Sequence, residues 1–411
     1  MTEPYGPLQG LRVIDFTERM QGPYATQMLG DMGADIIKVE RPHPPTPDGR
    51  ADERYGVNGR YGQDPADTSF YSAGFLAVNR NKRSVTVGLK NERGKEVIRH
   101  LITQVDVMYE NFRPGVMTRL GFGYEECAAI RPDIVYASAS GYGSDGPYLH
   151  RPGQDLLAQA IGGLGTMNQA RDGRPLAVGM SITDMLGAMN GAYAVAAALV
   201  HRERTGDGQH VEVSLLNSAI AALAEHAIHF LNTEVGEPRR GSPQHANPYT
   251  PSPYGFYATQ DGYIALSSGR QIPEICAILG IPDLSQDERF HGYDGRLVHK
   301  AEMDAELEAA LRKHTTDYWM ERMLASDIFA APVNSFEQAL NDPQVRHNGM
   351  VVDLETPSGQ LSFVGVPWKL SRTPASVRTP PPLHGQHSDE VLMEFGFSAS
   401  EIAGLREAGA I

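Results

Sequence analysis

Short apolar runs alternate with helix-like stretches along the first 140 residues. Leu11-Arg12-Val13-Ile14-Asp15, Asp35-Ile36-Ile37-Lys38-Val39, Ser84-Val85-Thr86-Val87, Asp106-Val107-Met108-Tyr109 and Ile134-Val135-Tyr136-Ala137 have the length and β-branched content of strands. Between them, Gly22 to Met32 and Glu92 to Gln104 repeat apolar positions at helical spacing, as at Val97, Leu101 and Ile102. Strands that alternate with helices predict a parallel sheet covered on both faces, an α/β domain of Rossmann type.

Further on, Thr183 to His201 is a long Ala-rich stretch without proline, which predicts a helix. Thr205-Gly206-Asp207-Gly208-Gln209 stops it, and His210 to Ser214 follows as a strand. Leu215 to Leu231 is again helical in pattern. Gly236 to Pro253, with its prolines and the basic pair Arg239-Arg240, reads as a linker. Phe256-Tyr257-Ala258 and Tyr263-Ile264-Ala265-Leu266 flank an Asp261-Gly262 turn, a hairpin signal that opens a smaller α+β domain. Helical patterns follow at Ile272 to Leu279, Lys300 to Lys313 and Thr316 to Ala325. From Pro332 onward a Pro- and Gly-punctuated tail leads to a short helix over Ser398 to Ala408.

At 411 residues the chain exceeds what one hydrophobic core serves, which fits two or three domains. A formal net charge of −14 repels a polyanion at long range, so nucleic-acid binding is not expected. Small anions still bind where Arg and Lys gather locally. Only Cys127 and Cys276 occur, far apart, so neither a disulfide framework nor a metal site is expected, and a reducing compartment fits. The longest apolar run, Ala192 to Val200, is too short to span a bilayer, and no basic-then-apolar leader opens the chain. The expectation is a cytoplasmic protein with no membrane partner.

Asp184 stands at the start of the Ala-rich helix, and two readings compete. Thr183 or Asp184 caps the helix, satisfying free N–H groups of its first turn. Alternatively the helix dipole keeps Asp184 ionised as a carboxylate nucleophile, with Gly187 and Gly191 letting another group approach the same helical face. Basic residues gather near strand ends: Lys38 and Arg41, Arg80-Asn81-Lys82-Arg83, Lys90, Arg113 and Arg119. Such groups either hold the phosphates of an anionic ligand or face water. The loop Phe16 to Pro23 lacks the glycines of a dinucleotide fingerprint, and neither a zinc-hydrolase pattern nor a G-x-S-x-G elbow is present.

Leu11 to Asp15, Gly22-Pro23, Gly33-Ala34-Asp35-Ile36-Ile37-Lys38-Val39-Glu40, Asn81-Lys82-Arg83-Ser84, Glu110-Asn111-Phe112-Arg113-Pro114-Gly115 and Ser140-Gly141-Tyr142-Gly143 occur in this order. With Thr205 to Gln209 and Leu383-His384-Gly385-Gln386-His387, this ordered set resembles the class III CoA-transferases, the formyl-CoA and carnitine CoA-transferase family. The resemblance implies a Rossmann-like large domain over 1–218 and a linker over 219–250. It continues with a small α+β domain over 251–313, a second linker over 314–345, and a return to the large domain over 346–411. It also implies an interlocked homodimer.

The resemblance makes Asp184 the catalytic aspartate. It carries CoA contacts to Met20, Gln21, Arg41, Lys90, Asn111, Phe112, Arg119, Ser140, Gly141 and Tyr142. CoA and acyl-CoA are then substrates, and no cofactor is permanently bound. The implied activity moves CoA from an acyl-CoA donor to a carboxylic acid through a covalent aspartyl intermediate. The same family holds α-methylacyl-CoA racemases, whose His base would stand where Gln154 is here, so Gln154 favours transfer. A CoA-binding subunit without chemistry of its own is a third reading, against which Asp184 counts. The glycine-rich lid loop of oxalate-type members is missing before the small domain. A larger acyl group is therefore expected, with His245, Asn247, Tyr249 and Tyr254 as pocket or packing residues.

Overall fold

The computed structural model describes residues 6–42, 72–170, 173–234, 236–238, 241–356 and 359–411; the pair Arg239-Arg240 lies outside the described residues. The chain divides into two compact units. The first comprises residues 1–162, 179–222 and 343–411, and the second residues 163–178 and 223–342.

Six parallel strands form the sheet of the first unit: β1 (Arg12–Asp15), β2 (Asp35–Glu40), β3 (Lys82–Thr86), β4 (Val107–Glu110), β5 (Val135–Ser140) and β6 (Gln209–Ser214). Their order is β3-β2-β1-β4-β5-β6, so the winding reverses between β1 and β4. Alternate residues bury on opposite faces. Ile14, Ile37, Val85, Met108 and Tyr136 enter one core, and Val13, Ile36, Val107, Val135 and Ala137 the other. Strands buried on both faces read as continuous apolar runs, which is why these runs predict them.

The first helix (Gln21–Asp31) and the long helix (Ile182–Thr205) cover the second face with Ala25, Leu29, Ala188, Ala192 and Val195. Small residues allow these two helices to lie close together. The long helix ends at Gly206, whose φ of 84° suits a residue without a Cβ and closes the last turn. The opposite face is covered by the helix Glu92–Ile102 and by two C-terminal helices, Ser388–Glu394 and Ala399–Glu407, which contribute Val391, Leu392, Ile402 and Leu405. A hairpin of β10 (Val351–Thr356) and β11 (Gly359–Val364) belongs to this unit and lies in the stretch that the sequence pattern presents as an irregular tail.

The second unit pairs β7 (Tyr254–Ala258) with β8 (Tyr263–Ser267) and β8 with β9 (Ala330–Pro332), all antiparallel. Its core gathers Tyr257, Ile264, Leu266, Ile275, Leu307, Trp319 and Met323 from these strands and from helices Ile272–Leu279, Lys300–Leu311 and Thr316–Ala325. Asp304 is fully buried there. It accepts hydrogen bonds from Ser242, Ser252 and Tyr257 Oη, and His245 Nδ1 stands 3.3 Å away. These bonds tie the proline-rich stretch after Gly241 to the helix Lys300–Leu311, so His245 is a packing residue with no exposed surface. The stretch Leu215 to Leu231 is not one helix. It breaks at Leu223 into Leu215–Ala222 and Ala224–Asn232.

Candidate active site

In open α/β sheets, ligands sit beyond the carboxyl ends of the strands where the winding reverses. Here those ends belong to β1 and β4. The loop after β1 is tightly held. Asp15, fully buried, accepts Thr17 N at 2.8 Å and Thr17 Oγ1 at 2.5 Å, and pairs with Lys82 Nζ at 2.9 Å. Lys82 also donates to Pro23 O, and Lys38 Nζ donates to Thr17 O at 2.7 Å. The two neighbouring lysines hold the Asp15 carboxyl below its ordinary value despite burial.

This corrects one reading of the basic cluster. Lys38 and Lys82 are buried in the loop's support, Arg80 pairs with Asp31 at 2.6 Å, and Arg83 bridges Asp35, Glu390 and Glu394. These four side chains are structural. Removing one partner of the buried pairs Lys82–Asp15 or Arg80–Asp31 costs about 3–5 kcal/mol.

The expected contact residues fall into two sets. Met20 stands at the N-cap position of the first helix and Gln21 is its first residue. Asn111, just after β4, clamps the same loop: Glu18 N donates to its Oδ1 at 2.8 Å and its Nδ2 donates to Glu18 O at 2.7 Å. Phe112 follows, its N–H held at 2.8 Å by Glu110 Oε2. Ser140 ends β5 and its Oγ accepts Gly143 N at 2.9 Å; Gly141 O accepts Leu216 N; Tyr142 rests edge-on against Tyr148. These residues share the carboxyl edge of the sheet. Arg41, Lys90 and Arg119 are exposed on the segments after β2, β3 and β4. Arg41 meets Glu18 at 3.2 Å, and Lys90 and Arg119 stand apart on separate exposed segments.

A cleft of about 380 Å³ lies at this edge, lined among others by Glu110, Phe112, Ser138, Ser140, Tyr142 and His210. Burial pushes the Glu110 carboxyl up to about 7, although hydrogen bonds from Phe112 N–H and Ser138 oppose the rise. Ser138 Oγ lies 2.8 Å from His210 Nε2, and burial lowers the imidazole below its ordinary value. This group carried no motif in the sequence. It forms because β4, β5 and β6 are neighbours.

Asp184 lies in the first turn of the long helix, half-buried. Neither it nor Thr183 is the cap. The N-cap position is Ser181, whose side chain makes no capping bond. The free N–H groups go instead to Asp155, at the start of the helix Asp155–Ile161. Its Oδ1 accepts Thr183 N and Thr183 Oγ1 at 2.7 Å each and Asp184 N at 3.3 Å. Nor does the helix dipole settle the charge of Asp184. Burial, and then the nearby Asp155 carboxylate, push its carboxyl up to about 7. It therefore holds a proton far more readily than a solvated aspartate.

The glycine face of the long helix is filled by the first helix at Gly187 and by β4 at Gly191. A Cβ on Gly187 would come within 2.6 Å of Gln21 Nε2, and one on Gly191 within 2.0 Å of Tyr109 Oη. Both of those polar atoms are buried without a hydrogen-bond partner. Gln154 stands at the N-cap position of the helix Asp155–Ile161, exposed, with no capping bond. Among the described residues, no group of three His, Cys, Asp or Glu is placed to hold a metal ion, and no helix is long and apolar enough to cross a membrane.

A family model described as CoA-transferase family III matches residues 8–388. The chain is 35% identical over 391 residues to the succinyl-CoA:glutarate CoA-transferase of Mus musculus, covering 94% of this chain and 86% of that protein. It is 35% identical over 372 residues to the acetyl-CoA:oxalate CoA-transferase of Acetobacter aceti, covering 90% of each. A crystal structure of a CAIB/BAIF family protein from Brucella suis superposes with a TM-score of 0.81 at 29% identity, over 95% of this chain and 100% of that one.

Proposed function

The chain belongs to CoA-transferase family III, and from that premise we propose that it moves CoA from an acyl-CoA donor to a carboxylic acid, with Asp184 as the group that carries the acyl and CoA moieties in turn. The observation that carries this reading is the Asp184 carboxyl itself. It is half-buried, raised to about 7, and relieved of capping by Asp155. A carboxylate of that basicity is a better nucleophile toward a thioester than a solvated aspartate.

The steps balance without any redox partner. An Asp184 carboxylate oxygen attacks the thioester carbonyl, the C–S bond breaks, and a mixed anhydride and CoA thiolate form. The thiolate attacks the aspartyl carbonyl, the anhydride C–O bond breaks, and the donor acid departs, leaving an aspartyl-CoA thioester. The acceptor carboxylate attacks that thioester and again expels thiolate. The thiolate then takes the acceptor acyl group and restores the Asp184 carboxylate. Met20, Gln21, Asn111 and Phe112 on one side and Ser140, Gly141 and Tyr142 on the other hold the CoA thiol end, and Arg41, Lys90 and Arg119 meet its phosphates.

Succinyl-CoA as donor and a dicarboxylic acid as acceptor are supported by the succinyl-CoA:glutarate and succinate–glutarate CoA-transferases among its relatives in Mus musculus, Homo sapiens and Agrobacterium fabrum. The active form is an interlocked homodimer. Exposed Met189 and Tyr193 on the long helix, 51% and 77% accessible, are the kind of surface a second copy would cover.

The test incubates the protein with succinyl-CoA and a panel of dicarboxylic acids and follows new acyl-CoA by chromatography. Transfer is expected, and Asp184→Asn is expected to abolish it. Loss of an α-proton to deuterated water without any acyl exchange would replace this reading with the racemase one.

A further inference from the structure

We propose that Asp155 is a positioning residue for Asp184: it borrows the capping role of the long helix from a separate helix and thereby fixes the backbone and the electrostatic surroundings of the nucleophile. The inference rests on the reading of Asp184 as the acyl carrier.

Three donors converge on one oxygen. Thr183 N, Thr183 Oγ1 and Asp184 N all point to Asp155 Oδ1. The other oxygen is anchored, because Gln159 Nε2 donates to Asp155 Oδ2 at 2.6 Å and to Met180 O at 3.1 Å. Gln159 is 2% exposed and Thr183 fully buried, while Asp155 and Asp184 are half-buried, so the network is held from the inside and keeps one side open to solvent. Ser181 occupies the N-cap position with a side chain fit for a local cap, yet it makes no such bond. A neutral local cap would stabilise the helix equally well. The anion from 28 residues earlier in the chain does something Ser181 would not: it sets a negative charge beside Asp184 while gripping the peptide N–H of that residue.

The consequences separate cleanly. Capping fixes where the nucleophile stands, and the like charge makes its carboxyl more basic. Burial comes first in raising it, and Asp155 is the charge that adds to that rise. Asp155→Asn retains an acceptor oxygen but removes the charge. Asp155→Ala removes both.

The experiment compares wild type, D155N, D155A and Gln159→Leu for rate of aspartyl labelling at residue 184 by an acyl-CoA, and for kcat and KM of acyl transfer between pH 5.5 and 9. D155A is expected to lose about 10- to 100-fold in kcat and in labelling rate with KM for acyl-CoA within about 3-fold, as befits lost orientation. D155N is expected to keep most of the pH 8 rate and to move the acid limb of the profile to lower pH, so that its ratio of rate at pH 6 to pH 8 exceeds the wild-type ratio. Q159L falls between D155N and D155A. Wild-type kcat in D155A, or an acid limb in D155N that does not move, would overturn the proposal. If wild type itself transfers CoA without ever labelling Asp184, the functional reading fails instead, and the two failures are told apart by the wild-type labelling alone.

Discussion

Asp184 exacts a stability cost that rises with pH, and replacing it by asparagine should reveal it. The carboxyl ionises near 7 in the fold against an ordinary value of 3.8. A raised value means that the folded state holds the proton more tightly, so its contribution to stability is complete below 3.8 and is lost as pH rises through about 7. At about 1.36 kcal/mol per pH unit the full gap is worth about 4 kcal/mol, and solvent around a half-buried group reduces this to about 2–4 kcal/mol. Asp184→Asn keeps the shape and removes the charge. Chemical denaturation followed by circular dichroism from pH 4 to 8.5 should show the two proteins within about 0.5 kcal/mol of one another at pH 4. By pH 8 the variant should be more stable by about 2–4 kcal/mol. Glu110, also raised to about 7, bends both curves alike, so the difference isolates Asp184. A difference that stays flat across this range would refute the reasoning.

Other outcomes follow from the same contacts. Lys82→Met strands the buried Asp15 carboxylate and should cost about 3–5 kcal/mol in unfolding free energy, measured by urea titration. Gly191→Ala gains up to about 1 kcal/mol of helix propensity but drives its Cβ to within 2.0 Å of Tyr109 Oη, so it should destabilise in wild type and cost clearly less in a Tyr109→Phe background, where the ring carbon Cζ at 3.2 Å is the next contact. Asn111→Ala frees the backbone of Glu18 and should raise KM for acyl-CoA about 10-fold, with the melting temperature lowered by only a few degrees.

Much of the sheet was readable from the sequence because parallel strands, covered on both faces, leave apolar runs such as Ile134 to Ala137. Ile272–Leu279 and Thr316–Ala325 were readable as helices from their helical patterns. The break at Leu223 was not, since no glycine or proline marks it. The β10–β11 hairpin was obscured for another reason: its residues are half-exposed, and the alternation of Val352 and Leu354 with Asp353 and Glu355 is short and set among prolines. At the site, the place of Asp184 at the start of an Ala-rich helix left a cap reading open, and the ordered family-like segments singled it out. Its surroundings were not legible, because Asp155 reaches it across 29 positions and a cap supplied from another helix leaves no local pattern. Lys38, Arg80, Lys82 and Arg83 showed the opposite failure. Their charges were visible, but the carboxylates that neutralise them are brought near only by the fold.

The central claim is that the acyl group passes through Asp184, and trapping tests it most directly. The protein is incubated with an acyl-CoA, treated with hydroxylamine or borohydride, digested and examined by mass spectrometry. The account predicts hydroxamate or alcohol on the peptide carrying Asp184, present in wild type and missing from Asp184→Asn. An enzyme that transfers CoA while that peptide stays unmodified would contradict it.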